Sequence, residues 1–158
     1  MNVGIYIHIP FCKSRCIYCG FYSTTNKELK ERYVDALIRE IHMRKDDFAR
    51  LGTSLSPSST STVYFGGGTP SSLSVCDIER IVGALESTFN GTPSEVTLEM
   101  NPDDVTKDYI KAVRQMGINR ISMGIQTFDD SRLQFIRRRH NASQAEKAVM
   151  TIREEGIH

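Results

Sequence analysis

The 158-residue sequence has no surplus of charge of either sign. Twenty Lys and Arg stand against 19 Asp and Glu, a net charge of +1. That balance argues against a nucleic-acid tail or a polybasic membrane patch. No apolar run approaches the roughly 18 residues of a membrane span. The start, MNVGIYIHIPF, lacks the basic opening and small-residue cleavage site of a signal peptide, and it reads as a strand. The expected location is therefore a reducing cytoplasm, where clustered cysteines are ligands or catalysts more often than disulfides. What is present is ordinary: 39% apolar and 25% charged residues in one domain's length.

The hydrophobic pattern alternates between two periods. VGIYIHI (3–9) reads as a buried strand, followed directly by a cysteine-rich loop. Residues 28–50 read as a helix with Leu29, Tyr33, Val34, Leu37, Ile38 and Ile41 on one stripe. GTSLSPSSTST (52–62) reads as a flexible connector. TVYF (62–65) is a second strand, running into GGGTPS. Ser74, with Asp77 three residues on, opens a helix whose inner face is Ile78, Ile81, Val82, Leu85 and Phe89. A third strand (95–100) ends in NPDD, and a helix over 106–116 stops at Gly117. A fourth strand covers 120–126, a short helix runs through Phe135, and Asn141 caps a last helix to Gly156.

That order implies an α/β fold with parallel strands in βα units. At roughly 30 residues per unit the chain holds about five, whereas a closed eight-unit barrel takes about 250 residues. The expectation is a partial (βα) barrel, either open or a piece of a longer protein, with a fifth strand beginning at GIH. In such folds the site lies at the carboxyl ends of the strands. The unusual residues fall there: the cysteines, the glycines, Glu99 and Gln126.

Three of the four cysteines, Cys12, Cys16 and Cys19, lie within eight residues. A structural zinc site usually takes four ligands, often as paired C-x2-4-C knuckles, and this loop supplies three cysteines. Cys76, on the second helix, reads as a small core residue. An iron–sulfur cubane takes four thiolates, so three would leave one iron open to a substrate or cofactor. A structural metal, a redox pair and coincidence are the competing readings.

CKSRCIYC resembles the CxxxCxxC signature of the radical S-adenosylmethionine (radical SAM) superfamily. With YIHIPFC, YFGGGTPS, EMNP, SMGIQTF and RRRHNASQ in order, the chain is similar to one branch. That branch holds the oxygen-independent coproporphyrinogen III dehydrogenases and the HemW-type haem chaperones. The resemblance implies a [4Fe-4S] cluster on Cys12, Cys16 and Cys19. It implies S-adenosylmethionine contacts from Gly67, Gly68, Thr69, Glu99, Gln126 and Arg138, with Tyr6 and Tyr18 lining cluster and cofactor. Without it, the glycines read as a turn, Glu99 as surface charge, the two tyrosines as core and Arg137-Arg138-Arg139 as a solvated basic face. The glycine run is no Walker motif, since the Lys-Ser/Thr ending is absent. The family often has glycine where Arg137 stands.

Two departures favour the chaperones. The dehydrogenases carry a further cysteine where this chain has Phe21, and a longer arm before the cluster motif. HNASQ fits the chaperone branch too, making His140 a haem contact; its other reading is an N-cap at Asn141 with Gln144. The resemblance thus implies residues 1–158 as the N-terminal part of a radical SAM core domain, with the rest of the barrel and a C-terminal domain outside this chain. It implies a haem chaperone delivering haem to an acceptor protein, with a one-electron reductant protein as a second partner. The alternative is oxidative decarboxylation of coproporphyrinogen III to protoporphyrinogen IX. A radical SAM enzyme acting on RNA is disfavoured by the missing basic patch, and no membrane span is expected.

Overall fold

The computed structural model describes residues 3–47, 60–89 and 92–157. Four strands, β1 (Val3–Ile9), β2 (Thr60–Gly67), β3 (Glu95–Met100) and β4 (Arg120–Met123), form one sheet in the order β1-β2-β3-β4. Every pairing is parallel. The helices are α1 (Lys30–Met43), α2 (Val75–Thr88), α3 (Lys107–Gln115), α4 (Asp130–Phe135) and α5 (Ala142–Glu154). This is the expected α/β arrangement, four strand–helix units in chain order among the described residues.

Side-chain alternation decides the layers. Ile7 and Ile9 of β1, Val63 and Phe65 of β2, and Leu98 and Met100 of β3 are buried in one core with Ile78, Ile81 and Leu85 of α2. Each such side chain stabilises the fold by about 1.5–3 kcal/mol. The intervening positions, Tyr6, His8, Tyr64 and Glu99, face the other way and are not fully buried. The register sets Ile9 beside Gly67 and Met100 beside Met123, which aligns the carboxyl ends along one edge.

The helix starts follow from capping chemistry. Ser74 Oγ accepts from Asp77 N–H at 3.1 Å while the Asp77 carboxylate accepts from Ser74 N–H at 3.2 Å. Asn141 and Gln144 make the same reciprocal pair at 2.8 and 2.9 Å. Gly117, at φ +88°, ends the third helix's turn as expected.

Several boundaries differ from the sequence reading. The first helix stops at Met43, with a tighter turn at Arg44–Asp46, rather than reaching 50; residues 48–50 lie outside the described residues, as does most of the 52–62 connector. Thr60–Thr62 belong to β2, which also continues through Gly66 and Gly67. β4 ends at Met123, not 126, because Ile125 N–H turns back to the Met123 carbonyl at 3.0 Å and Gln126 takes φ +71°. Cys76 is exposed on the surface of α2, not in the core. Ile157, the last described residue, is buried but belongs to no strand.

Candidate functional site

The cysteine loop is tied at both ends. Cys12 N–H donates to the Thr24 carbonyl at 2.9 Å and Thr24 N–H to the Pro10 carbonyl at 2.7 Å. Phe11, buried edge-on against Tyr33 at 5.3 Å, anchors its start. The segment between must therefore arch over the carboxyl edge of the sheet. All four cysteines are free; Cys12 is buried, Cys16 and Cys19 half-buried.

Beneath this arch lies a cavity of about 240 Å³. Its wall carries Cys12, Cys16 and Cys19 together with Tyr18. Gly67, Gly68 and Thr69 enter from the end of β2, Glu99 from the end of β3, and Gln126 and Arg138 from beyond β4. Ten residues singled out on sequence grounds thus share one surface.

The glycines are required by close approach. Gly67 has φ +115°, and a Cβ there would lie 2.7 Å from the His8 ring. A Cβ at Gly68 would lie 3.0 Å from both Cys12 Sγ and the Phe11 carbonyl. Gly67 N–H donates to Glu99 Oε2 at 3.1 Å, and the Tyr64 hydroxyl donates to Glu99 Oε1 at 2.7 Å. Burial, and then the hydrogen bond to Glu99, push the Tyr64 hydroxyl above its ordinary range. The carboxylate is held between them with lone pairs to spare.

A polar chain runs behind the cavity. Thr69 Oγ1 donates to Cys12 Sγ at 3.5 Å, and Asn101 Nδ2 donates to Thr69 Oγ1 at 3.3 Å. Arg138 Nη2 donates to Asn101 Oδ1 at 2.8 Å and also to the Gly124 carbonyl. Arg138 Nη1 points at Cys16 Sγ, 3.6 Å away. Its buried Nε has no partner. Asp104 is a second hub, with its side chain 2% exposed. It accepts from Lys13 of the cysteine loop, from Ser71 Oγ at 2.7 Å, and pairs with Arg139 at 3.6 Å. Arg139 also pairs with Asp103 at 2.7 Å. Asn101 and Asp104 were not marked as site residues from sequence; their one signal is NPDD directly after a strand.

Two expected site residues lie elsewhere. Tyr6 is not on the cavity wall. It stands on the open face of the sheet opposite Tyr64, ring centroids 6.0 Å apart, with His8 between it and the cavity. His140 is 4% exposed. Its Nε2 faces the Ile125 carbonyl at 3.1 Å, so the proton is assigned to Nε2, and its buried Nδ1 has no partner. Burial holds its pKa below the usual histidine range. The ring sits behind the Gly124–Gln126 turn rather than on the cavity wall.

Among the described residues no three His, Cys, Asp or Glu side chains gather closely enough for a single metal ion. Cys12, Cys16 and Cys19 share one cavity wall. Soft sulfur donors, two side-chain donors aimed at two of the sulfurs, and the unpartnered Arg138 Nε fit a thiolate-held cluster with an anionic ligand beside it.

Parallel βα units with a three-cysteine arch over their carboxyl edge define a βα protein with a thiol-lined site at the strand ends. The chain belongs to the radical SAM superfamily: the model described as "Radical SAM superfamily" matches residues 6–158. Membership implies a [4Fe-4S] cluster and S-adenosylmethionine. The chain is 34% identical to the haem chaperone HemW of Synechocystis sp., covering 99% of this chain and 38% of that protein. It is 40% identical to the anaerobilin synthase of Escherichia coli O157:H7, covering 79% of this chain and 27% of that protein. Among solved structures it matches coproporphyrinogen III oxidase (HemN) from Escherichia coli, a radical SAM enzyme, at a TM-score of 0.85 and 28% identity, covering 99% of this chain and 35% of that one. The chain therefore spans well under half the length of these relatives. No described helix is long and apolar enough to cross a membrane.

Proposed function

We propose that this chain is the cofactor-holding part of a haem chaperone that hands haem to an acceptor protein in a reducing cytoplasm. Cys12, Cys16 and Cys19 are the cluster ligands. Glu99 accepts hydrogen bonds from ribose hydroxyls, and the backbone of Gly67, Gly68 and Thr69 admits the methionine end of S-adenosylmethionine. Arg138 offers its free Nε–H to the carboxylate of that ligand, while Gln126 closes the cavity's far side and Tyr18 covers the cysteines. When bound, the two groups supply one-electron chemistry. Thr69 and Arg138 hold the sulfurs by hydrogen bonds, and the arch limits water.

The observation that carries the chaperone reading over the enzyme is Phe21. It lies on the cavity wall, 68% exposed, two residues after Cys19. The dehydrogenases of the branch carry a cysteine there. An exposed aromatic ring at the cavity mouth suits contact with a flat tetrapyrrole. His140 is left out of the contact set, since it is enclosed by protein. The second reading, porphyrinogen decarboxylation, is favoured by the close fold match to the HemN oxidase.

Anaerobic haem titration of the full-length, cluster-loaded protein tests the proposal. Saturable, near-stoichiometric binding without turnover is expected. No specific binding, together with S-adenosylmethionine-dependent release of carbon dioxide from coproporphyrinogen III, replaces the chaperone with the enzyme.

A further inference from the structure

Two strands run into a polar residue followed by proline: Thr69-Pro70 after β2 and Asn101-Pro102 after β3. The proline favours extended backbone before it, and both residues have it, with ψ +93° at Thr69 and +148° at Asn101. Each opens a short turn, Pro70–Ser72 and Pro102–Asp104. A Thr or Asn so placed ordinarily caps the turn with its side chain. Asn26, Ser74, Thr106, Asp129 and Asn141 all accept from a backbone N–H in this way. Thr69 and Asn101 make no such bond. Their side chains meet each other instead on the cavity wall, Asn101 Nδ2 donating to Thr69 Oγ1 at 3.3 Å.

The orientation of the Asn101 amide is forced. A guanidinium only donates, so Oδ1 must face Arg138 Nη2, 2.8 Å away, and Nδ2 must face Thr69. The Thr69 oxygen accepts from Nδ2, which leaves its own proton for Cys12 Sγ at 3.5 Å. On the other side the second arm of Arg138, Nη1, is directed at Cys16 Sγ at 3.6 Å. One amide therefore stands at the root of two donors, each ending on a different cysteine sulfur.

We infer that Asn101 is a positioning residue whose amide polarity sets the direction of the hydrogen bonds to the sulfurs of Cys12 and Cys16. The inference rests on the three cysteines holding a cluster. Donors to a ligand sulfur favour the more negative, reduced state of the group it holds. A carboxylate in the same place has no proton to give. It keeps Arg138 but accepts from the Thr69 hydroxyl, turning that proton away from Cys12.

The test is a double-mutant cycle on the full-length protein with its cluster reconstituted anaerobically: wild type, Asn101→Asp, Thr69→Val and the two together. Electron paramagnetic resonance reads the reduced-to-oxidised ratio at a fixed potential. The added charge of Asn101→Asp lowers the ratio in both backgrounds. Where the Thr69 hydroxyl is present, a further three- to tenfold fall is expected, about the worth of one hydrogen bond. In the Thr69→Val background that further fall should vanish. Should Asn101→Asp fail to load, Asn101→Ala repeats the cycle without added charge, and its shift should again be smaller in the Thr69→Val background. Equal shifts in the two backgrounds overturn the inference. So does an unchanged ratio with a lowered thermal midpoint, which makes Asn101 a residue of the Pro102–Asp104 turn alone. Wild-type protein that takes up no iron and sulfide overturns the cluster reading itself, before any variant is compared.

Discussion

Arg138 directs a guanidinium N–H at the sulfur of Cys16 across 3.6 Å, although 122 residues separate them in the chain. The contact joins the loop after β1 to the segment after α4, the first and last parts of the cavity wall. It exists because Asn101 and the Gly124 carbonyl hold the rest of the fork. A bidentate, planar cation can do this where a lysine cannot.

Arg138→Lys should therefore keep the charge but lose the relay. A donor to a thiolate sulfur favours the more negative, reduced state of the group it ligates, so removing it lowers the reduction potential. The expected fall is roughly 30–60 mV, the equivalent of about one hydrogen bond for a one-electron couple. A redox titration followed by electron paramagnetic resonance measures it. An unchanged potential would mean that the 3.6 Å contact is incidental.

The two glycines should fail in different ways. Gly67→Ala meets the His8 ring and a φ that alanine rarely takes, and should cost about 1–3 kcal/mol in chemical denaturation. Gly68→Ala leaves φ acceptable but presses on Cys12 Sγ. It should fold with near-normal stability and show lowered iron content after reconstitution. Equal iron loading in Gly68→Ala and wild type would remove the cradle role.

The strands and capped helices were legible because periodicity and capping are local. The alternation of β1, the Ser74–Asp77 box and the stop at Gly117 all depend on residues a few positions apart. What was missed depends on distance in the chain. Nothing near Asp104 announces that Lys13, Ser71 and Arg139 converge on it. His140 reads like a ligand in a linear motif, yet folding turns its ring behind Ile125. The pleat likewise leaves Tyr6 on the open face, short of the cavity edge. Gly67 and Glu99 come to one edge because parallel topology fixes where strand ends meet, whatever the side chains, while Gln126 reaches the same cavity from the turn beyond β4.

Asp104 links three segments, so its loss should act on all of them. Asp104→Ala leaves Ser71 and Arg139 short of a buried acceptor and should destabilise by about 2–3 kcal/mol. Asp104→Asn keeps the Ser71 bond but not the charge, and about 1 kcal/mol is expected. Both should also loosen the cysteine arch through Lys13, seen as faster alkylation of Cys16 in cluster-free protein. Alkylation at the wild-type rate would confine Asp104 to the turn at Pro102–Asp104.

His140 supplies a pH test. Its folded-state pKa lies below that of the unfolded chain because burial disfavours the charged ring. Above about pH 6.5 both states are neutral and the residue adds no pH dependence. Below it the unfolded chain takes up a proton that the folded one resists, so stability falls as the solution is acidified. The slope cannot exceed about 1.4 kcal/mol per pH unit for one group. Urea midpoints at pH 7.5 and pH 5.5 should thus separate more in wild type than in His140→Gln, which cannot titrate yet can still donate toward the Ile125 carbonyl. If the variant loses as much stability on acidification as wild type, other groups carry the effect and His140 is already protonated or accessible in the fold.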